Sequence, residues 1–125
     1  MNRLILCSLV LLSLKSIAHD GEDHRHLDPA LIRNIFQSYN VEFSACYQKE
    51  LDQSKKSFDF SSKVTFTIDP DGATQDVKFD DSSKADGIMN VQKCIASITK
   101  GITYPKPSRG KSITVSQPLN FKAKN

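Results

Sequence analysis

The chain has 125 residues, of which 38% are hydrophobic and 25% are charged. This length and composition fit one small globular domain and exclude a multidomain protein. All 14 acidic residues lie at or before Asp86, whereas the last third of the chain carries only Lys and Arg. A basic end of this kind suits an acidic or phosphate-bearing partner, and an ordinary solvated surface is the simpler interpretation.

Residues 1–18 are predicted to form a secretory signal peptide. Arg3 supplies the positive charge, Leu4–Leu14 form the apolar core, and Ser16–Ala18 provide small residues for cleavage. The apolar core is too short to span a bilayer of about 30 Å. A lipid-modified Cys7 is the weaker alternative, because a bulky residue precedes it. We therefore expect an exported mature chain that is periplasmic, or alternatively secreted, with no membrane insertion and no nucleic-acid partner.

Residues 19–27 are predicted to form a flexible leader rich in histidine and acidic residues. Within it, His24 and His26 with Glu22 or Asp23 have the chemistry of divalent-metal ligands. Their spacing matches no structural zinc site, and a flexible site binds a metal weakly. A solvated leader is the favoured interpretation, and no cofactor is expected.

A helix is predicted from Asp28 to about Asp52. Asp28 is an N-cap acceptor, and Pro29 stands where its missing N–H costs nothing. Asn40–Val41 is a weak point inside this helix. Apolar residues recur at spacings of three and four and form one stripe that would cover a sheet: Leu31, Ile32, Ile35, Phe36, Tyr39, Phe43, Cys46, Tyr47 and Leu51.

A β-hairpin is predicted from about Phe58 to Asp80. Val64, Phe66 and Ile68 alternate with threonine, which is typical of a strand with one buried face. Residues 69–72, Asp-Pro-Asp-Gly, combine the residue types that favour a tight turn. A hairpin alone is marginally stable, so the rest of the chain must cover it.

A second helix is predicted over about Ile88–Lys100, with Gly101 just past its end. A proline-bearing loop then leads to a last strand over Ser112–Phe121. Because Pro118 cannot donate to a ladder, this strand is predicted to lie at a sheet edge. Residues 122–125 are predicted to be a tail.

The element order helix, strand, strand, helix, strand predicts a small α+β domain. Both helices have one apolar face and must share one face of the sheet. The helical crossover makes the third strand run parallel to the second, so it can be antiparallel only to the first. The prediction is therefore a three-stranded antiparallel sheet in the order 2-1-3, with two helices on one face and the last strand at an edge.

Cys46 and Cys94 are predicted to form a disulfide, because they are the even pair that remains after signal-peptide cleavage in an exported chain. Closing a loop of this length stabilises a fold by about 4 kcal/mol on the chain-entropy account. Two buried thiols are the alternative. A catalytic cysteine is disfavoured, since no histidine lies near either residue in ordered sequence.

Five stretches carry a family resemblance: Ala45–Leu51, Lys63–Gly72, Lys93–Ile95, Tyr104–Pro107 and Gln117–Phe121. In order and spacing they resemble the C-terminal domain of AgmX/PglI-type proteins, which is similar to the TonB C-terminal domain. The resemblance spans about Leu31–Phe121. It implies an α-β-β-α-β fold over residues 28–121 and a cysteine pair that matches Cys46 and Cys94. The family's proteins belong to the cell envelope and are associated with gliding motility.

The resemblance implies a non-enzymatic periplasmic module that binds an envelope protein by adding a strand at the last-strand edge, in envelope transport or gliding motility. The resemblance does not identify the partner, and it is also compatible with a weak strand-exchanged homodimer. A secreted, disulfide-braced effector or inhibitor is the alternative. No Ser-His-Asp order, phosphate loop or metal-ligand spacing favours an enzyme. The residues predicted for the partner-binding edge are Tyr104, Arg109, Lys111, Ile113, Val115 and Gln117.

Overall fold

The computed structural model describes residues 27–80 and 85–123, apart from the side chain of Arg109. The predicted signal peptide and the three histidines of the predicted leader lie outside the described residues. Leu27, assigned above to the leader, is buried in the core. The elements are α1 (Pro29–Gln37), α2 (Asn40–Ser54), β1 (Phe60–Ile68), β2 (Thr74–Phe79), α3 (Asp86–Lys100), a 3-10 turn (Ser108–Gly110) and β3 (Ile113–Phe121).

The first predicted helix is in fact two helices, α1 and α2, with a break at Ser38 and Tyr39. The Ser38 hydroxyl donates to the carbonyl oxygen of Ile35 at 2.5 Å, which satisfies one of the free carbonyls in the last turn of α1. Tyr39 then leaves the helical conformation, with φ −96° and ψ 9°. The rings of Phe36 and Phe43 lie 4.9 Å apart across the break. Because the apolar stripe continues through it, hydrophobic spacing could not reveal the break.

The turn of the predicted hairpin is organised by Asp69. One carboxylate oxygen of Asp69 accepts the backbone N–H groups of Asp71 and Ala73, both at 2.9 Å. The carbonyl oxygen of Asp69 accepts the N–H of Gly72, also at 2.9 Å. Gly72 has φ +88°, in the left-handed region that favours glycine. The predicted turn over residues 69–72 is confirmed.

The sheet has the predicted order, β2-β1-β3, and both pairs of strands are antiparallel. The ladder between β1 and β3 is continuous, from Phe60 opposite Phe121 to Ile68 opposite Ile113. The ladder between β1 and β2 shifts register, and Asp76, at φ +55°, lies in that part of β2. An extra residue in a left-handed conformation is typical of a β-bulge. The central strand β1 therefore holds the sheet together.

One face of the sheet is covered by the helices and the other face is open. Along β1 the residues from Phe60 to Ile68 alternate between buried and more exposed positions, so the buried set faces the helices. None of the helices within residues 27–80 and 85–123 is long and apolar enough to cross a membrane. The predicted α+β class is confirmed, with three helices instead of two. The buried core comprises Leu27, Ile32, Phe36, Phe43, Cys46, Tyr47, Phe60, Val64, Phe66, Ile68, Val91, Ile95, Ile102, Tyr104 and Leu119.

Candidate partner-binding edge

Strand β3 lies at one edge of the sheet, as predicted from Pro118. Its only neighbouring strand is β1, and no other strand of the described residues pairs with its outer side. A strand in this position has one row of N–H and C=O groups without ladder partners. Which residues supply that row depends on the phase of the β1–β3 ladder.

The backbone of Lys63 fixes this phase. Its carbonyl oxygen accepts the N–H of Asp80 at 3.0 Å, and its own N–H donates to the Asp80 carboxylate at 2.7 Å. Both polar groups of Lys63 therefore point towards β2. In an antiparallel ladder such a residue forms a non-hydrogen-bonded pair with the strand on its other side. Lys63 faces Pro118 in the register, so the backbone groups of Pro118 point away from β1.

Alternation then assigns every residue of β3 to one side. Four residues direct their backbone groups away from the sheet, and we call this row the β3 outer edge: Thr114, Ser116, Pro118 and Asn120. Pro118 has a C=O but no N–H. The β3 outer edge thus offers three N–H and four C=O groups to an added strand, and its donor row has a gap at Pro118.

The predicted edge residues Ile113, Val115 and Gln117 occupy the other phase. Their backbone groups point to β1, opposite Ile68, Phe66 and Val64. Their side chains are half-buried on the helix-covered face. These three residues therefore do not supply the outward row of backbone groups, and side-chain alternation does not show which backbone groups are already paired.

Tyr104, also predicted to lie beside the edge, is a core residue. Only 3% of its surface is exposed, and its ring stacks on that of Phe66 with centroids 5.9 Å apart. Its hydroxyl is buried and has no hydrogen-bond partner among the described residues. Burial, and secondarily the nearby Tyr39, raises the pKa of the Tyr104 phenol well above its ordinary value. Tyr104 therefore packs in the core beneath the sheet and does not present a surface to a partner.

The segment that carries Tyr104 is attached to the hairpin turn. The backbone N–H of Tyr104 donates to the carbonyl oxygen of Gly72 at 2.8 Å. Thr103 forms an isolated antiparallel bridge with Ala73. These contacts hold the start of the loop that leads to β3.

The basic residues of the prediction lie where this loop reaches β3. Arg109 is in the 3-10 turn, and Lys111 is exposed just before the strand begins. The side chain of Arg109 lies outside the described part, so only its backbone position is assigned. The structure therefore brings Lys111 next to the first residues of the β3 outer edge and separates it from the buried Tyr104.

A cleft of about 310 Å³ runs beside the second half of β3. Its walls come from the α1–α2 junction, with Phe36, Gln37, Asn40 and Ser44, and from the strand residues 118–121. A strand added at β3 would direct alternate side chains to the helix-covered face, where this cleft lies. The backbone row and the cleft thus lie side by side along the second half of β3.

On the open face, the side chains of the β3 outer edge are bonded across to β1. Ser116 and Thr65 share a hydrogen bond of 2.8 Å between their hydroxyl oxygens. Ser61 donates to the side-chain oxygen of Asn120 at 2.6 Å. These cross-strand pairs hold β3 in register, which preorganises its outer backbone groups.

The predicted disulfide is present between α2 and α3. The sulfur atoms of Cys46 and Cys94 are 2.02 Å apart, and the Cα atoms are 5.8 Å apart. Cys46 is almost fully buried, whereas Cys94 is half-buried. The disulfide thus joins α2 to α3 and braces the helical layer. As a separate finding, the described residues contain no cluster of three or more potential metal ligands.

Comparison with known proteins gives one similar solved structure. No family model and no curated protein matches the chain. The chain is similar to the solution structure of the Helicobacter pylori TonB C-terminal domain, with 20% sequence identity and a TM-score of 0.39. The similar region covers 71% of this chain and 92% of the other. A likeness of this degree assigns neither a family nor a function.

Proposed function

We propose that this chain is a non-enzymatic protein-interaction module of the cell envelope, which binds an extended segment of a partner protein at the β3 outer edge. The supporting observation is the row of outward backbone groups at Thr114, Ser116, Pro118 and Asn120. Main-chain hydrogen bonds at such an edge give affinity, and neighbouring pockets give specificity. Involvement in envelope transport or gliding motility follows only from the AgmX/PglI resemblance and stays a prediction.

The gap at Pro118 limits the partner segment. Ladder bonds from the strand to the partner are available at Thr114, Ser116 and Asn120, whereas Pro118 only accepts. The partner therefore pairs most strongly with the first half of β3, next to Lys111. Along the second half, its side chains meet the cleft at the α1–α2 junction. This division predicts an extended segment whose side chains near one end fit a cleft with both polar and apolar lining residues.

Site-specific photocrosslinking in cells tests the proposal and captures the partner whatever its identity. A photoreactive residue at Thr114 should give a discrete crosslinked product, and one at Lys49, exposed on α2 near the disulfide and away from both sheet edges, should not. Ser116→Pro removes an outward N–H and should diminish the product. Ser116→Val keeps that N–H, loses the same hydroxyl and serves as the matched control. An undiminished product from folded Ser116→Pro would contradict strand addition.

Export to the periplasm is part of the proposal, and the disulfide supports it, since disulfides persist in oxidising compartments. The alternative, a secreted effector or inhibitor, uses the same scaffold. Fractionation separates the two: the proposed module is retained in the periplasm, whereas an effector accumulates in the culture medium. Recovery mainly from the medium would reject the envelope assignment.

A further inference from the structure

A second groove lies at the opposite edge of the sheet, between β2 and α3. It has a volume of about 430 Å³, and we call it the β2–α3 groove. Its apolar lining comprises Val77 and Phe79 from β2 with Met89 and Ala96 from α3. Met89 is 37% exposed, and it is one of the few large apolar side chains on the surface of the described part.

The backbone of β2 has free groups along this groove. Lys78 pairs with Thr65, and Asp80 donates its N–H to Lys63, so the backbone groups of both β2-side residues face β1. By alternation between Lys78 and Asp80, those of Phe79 face the outer side of the sheet, whereas Val77 lies in the register shift. No strand of residues 27–80 and 85–123 pairs with that side. The groove therefore combines an apolar floor with an available main chain.

Gln92 adds an unused donor. Gln92 lines the β2–α3 groove, and its side-chain nitrogen is buried beneath the surface and has no acceptor among the described residues. Buried polar atoms without a partner are rare in folded proteins and call for an explanation. A carbonyl or carboxylate oxygen of a bound segment would satisfy this nitrogen.

The charge of the groove is positive. Among the residues that the structure describes, the charged lining residues of the groove are Lys78 and Lys93, and both are exposed. Asp80, which follows the groove along β2, turns its carboxylate to the N–H of Lys63 and the hydroxyl of Ser62. The sequence has no acidic residue after Asp86. An occupant with acidic side chains is therefore complementary to this surface.

We propose that the β2–α3 groove binds an extended segment of a partner protein in which apolar residues alternate with acidic ones. The segment pairs with the outward backbone groups of Phe79 and adds a strand at the end of β2. Its apolar side chains enter the groove, and its acidic side chains lie on the open face beside Lys78. An oxygen of the segment accepts the free donor of Gln92. This site is separate from the β3 outer edge, so the module has two docking edges.

The probe for this site is a fluorescein-labelled ten-residue peptide of alternating valine and glutamate, with a valine–lysine peptide of the same length for comparison. Fluorescence anisotropy with the mature protein should show binding of the glutamate peptide and weaker binding of the lysine peptide. A glutamate peptide with N-methylated backbone should lose binding, because it cannot form the ladder. In amide spectra of isotope-labelled protein, the largest changes should occur at Val77, Phe79 and the side chain of Gln92.

Charge reversal supplies the matched comparison. The double substitution Lys78→Glu with Lys93→Glu should weaken binding of the glutamate peptide about tenfold or more. Lys49→Glu with Lys106→Glu makes the same change of charge at exposed positions elsewhere and should have little effect. The inference is overturned if the glutamate peptide does not bind, if both double variants weaken it equally, or if the spectral changes are confined to Thr114 and Ser116.

Discussion

A Cβ atom on Gly72 would lie 2.1 Å from the carbonyl oxygen of Tyr104. The hairpin turn and the segment before β3 therefore approach so closely that a larger residue cannot stand at position 72. The same contact carries the hydrogen bond from the Tyr104 N–H to the Gly72 carbonyl oxygen. Gly72 is thus the point at which the hairpin turn contacts the segment that precedes the candidate binding edge.

Gly72→Ala is expected to destabilise the protein by about 3 kcal/mol, from the positive φ and the clash together. Gly110→Ala is the matched control. Gly110 also has a positive φ, +62°, but no atom lies within 4 Å of the added Cβ. Its cost should be limited to about 1 kcal/mol of backbone strain. Urea unfolding measures both, and equal losses would show that the close contact with Tyr104 is unimportant.

Two tyrosine hydroxyls allow a paired comparison. Tyr47 donates its buried hydroxyl to the carbonyl oxygen of Phe58, whereas the hydroxyl of Tyr104 has no partner among the described residues. Tyr47→Phe should destabilise the fold by about 1–2 kcal/mol, because it leaves the carbonyl unpaired. Tyr104→Phe should be neutral or stabilise by about 1 kcal/mol, because it removes an unsatisfied polar group. Thermal unfolding of both variants checks the opposite signs; a marked loss with Tyr104→Phe would show that the Tyr104 hydroxyl has a partner.

Proline scanning along β3 tests the phase of the ladder. Val115→Pro removes an N–H that points to β1 and should cost at least about 2 kcal/mol of unfolding free energy. Ser116→Pro removes an outward N–H and should cost clearly less, apart from the lost hydroxyl contact with Thr65. Denaturant unfolding of the two variants gives the comparison. The reverse order would place the β3 outer edge at the odd-numbered residues.

The disulfide is expected to contribute about 4 kcal/mol for its 48-residue separation. Replacement of Cys46 and Cys94 together by alanine should lower the urea midpoint by a corresponding amount. The oxidised protein treated with a reductant should fall to a similar stability, and the double variant should not respond to the reductant. A double variant as stable as the oxidised protein would contradict the bracing role.

The pH dependence of stability should contain a contribution from Asp69. Hydrogen bonds from backbone N–H groups, chiefly that of Ala73, hold the pKa of the Asp69 carboxyl below its ordinary value. The unfolded chain then binds more protons on acidification, so this stabilisation is present above about pH 4 and is lost as the pH falls through the folded pKa. Asp69→Asn should flatten the acid side of the stability profile. Asp52→Asn, at an exposed position on α2, is the control. If this variant flattened the acid side of the stability profile equally, the effect could not be assigned to the Asp69 turn.

The strand order was predictable because it followed from connectivity. A helix between β2 and β3 leaves β3 only one antiparallel neighbour, and the alternation of Val64, Phe66 and Ile68 located the central strand. The weak point predicted at Asn40–Val41 lies next to the break between α1 and α2, but two helices were not predicted, since Tyr39 and Phe43 continue the apolar stripe through the break. Tyr104 was predicted to lie beside the edge, because an aromatic residue next to prolines is typical of a surface loop, but its side chain is buried in the core.

The position of β3 at the sheet edge was predictable, but which of its residues direct their backbone groups outwards was not. Side-chain alternation separates Val115 from Ser116 by face, and Pro118 indicates an edge. The outward backbone groups, however, depend on how Lys63 is bonded to Asp80 on the far side of β1. The assignment requires both the register of β1 with β2 and the register of β1 with β3. The side-chain pattern of β3 alone gives neither of them.

The covalent loop closed by Cys46 and Cys94 encloses β1 and β2 but leaves β3 outside. A pull on the β3 outer edge therefore acts on a strand that the disulfide loop does not enclose. The tension passes instead through the nine paired positions between β1 and β3. The force at which an attachment at this edge fails is therefore set by the β1–β3 ladder. If β3 is pulled away from β1, the chain still connects it to the hairpin of β1 and β2, and the ladder can form again.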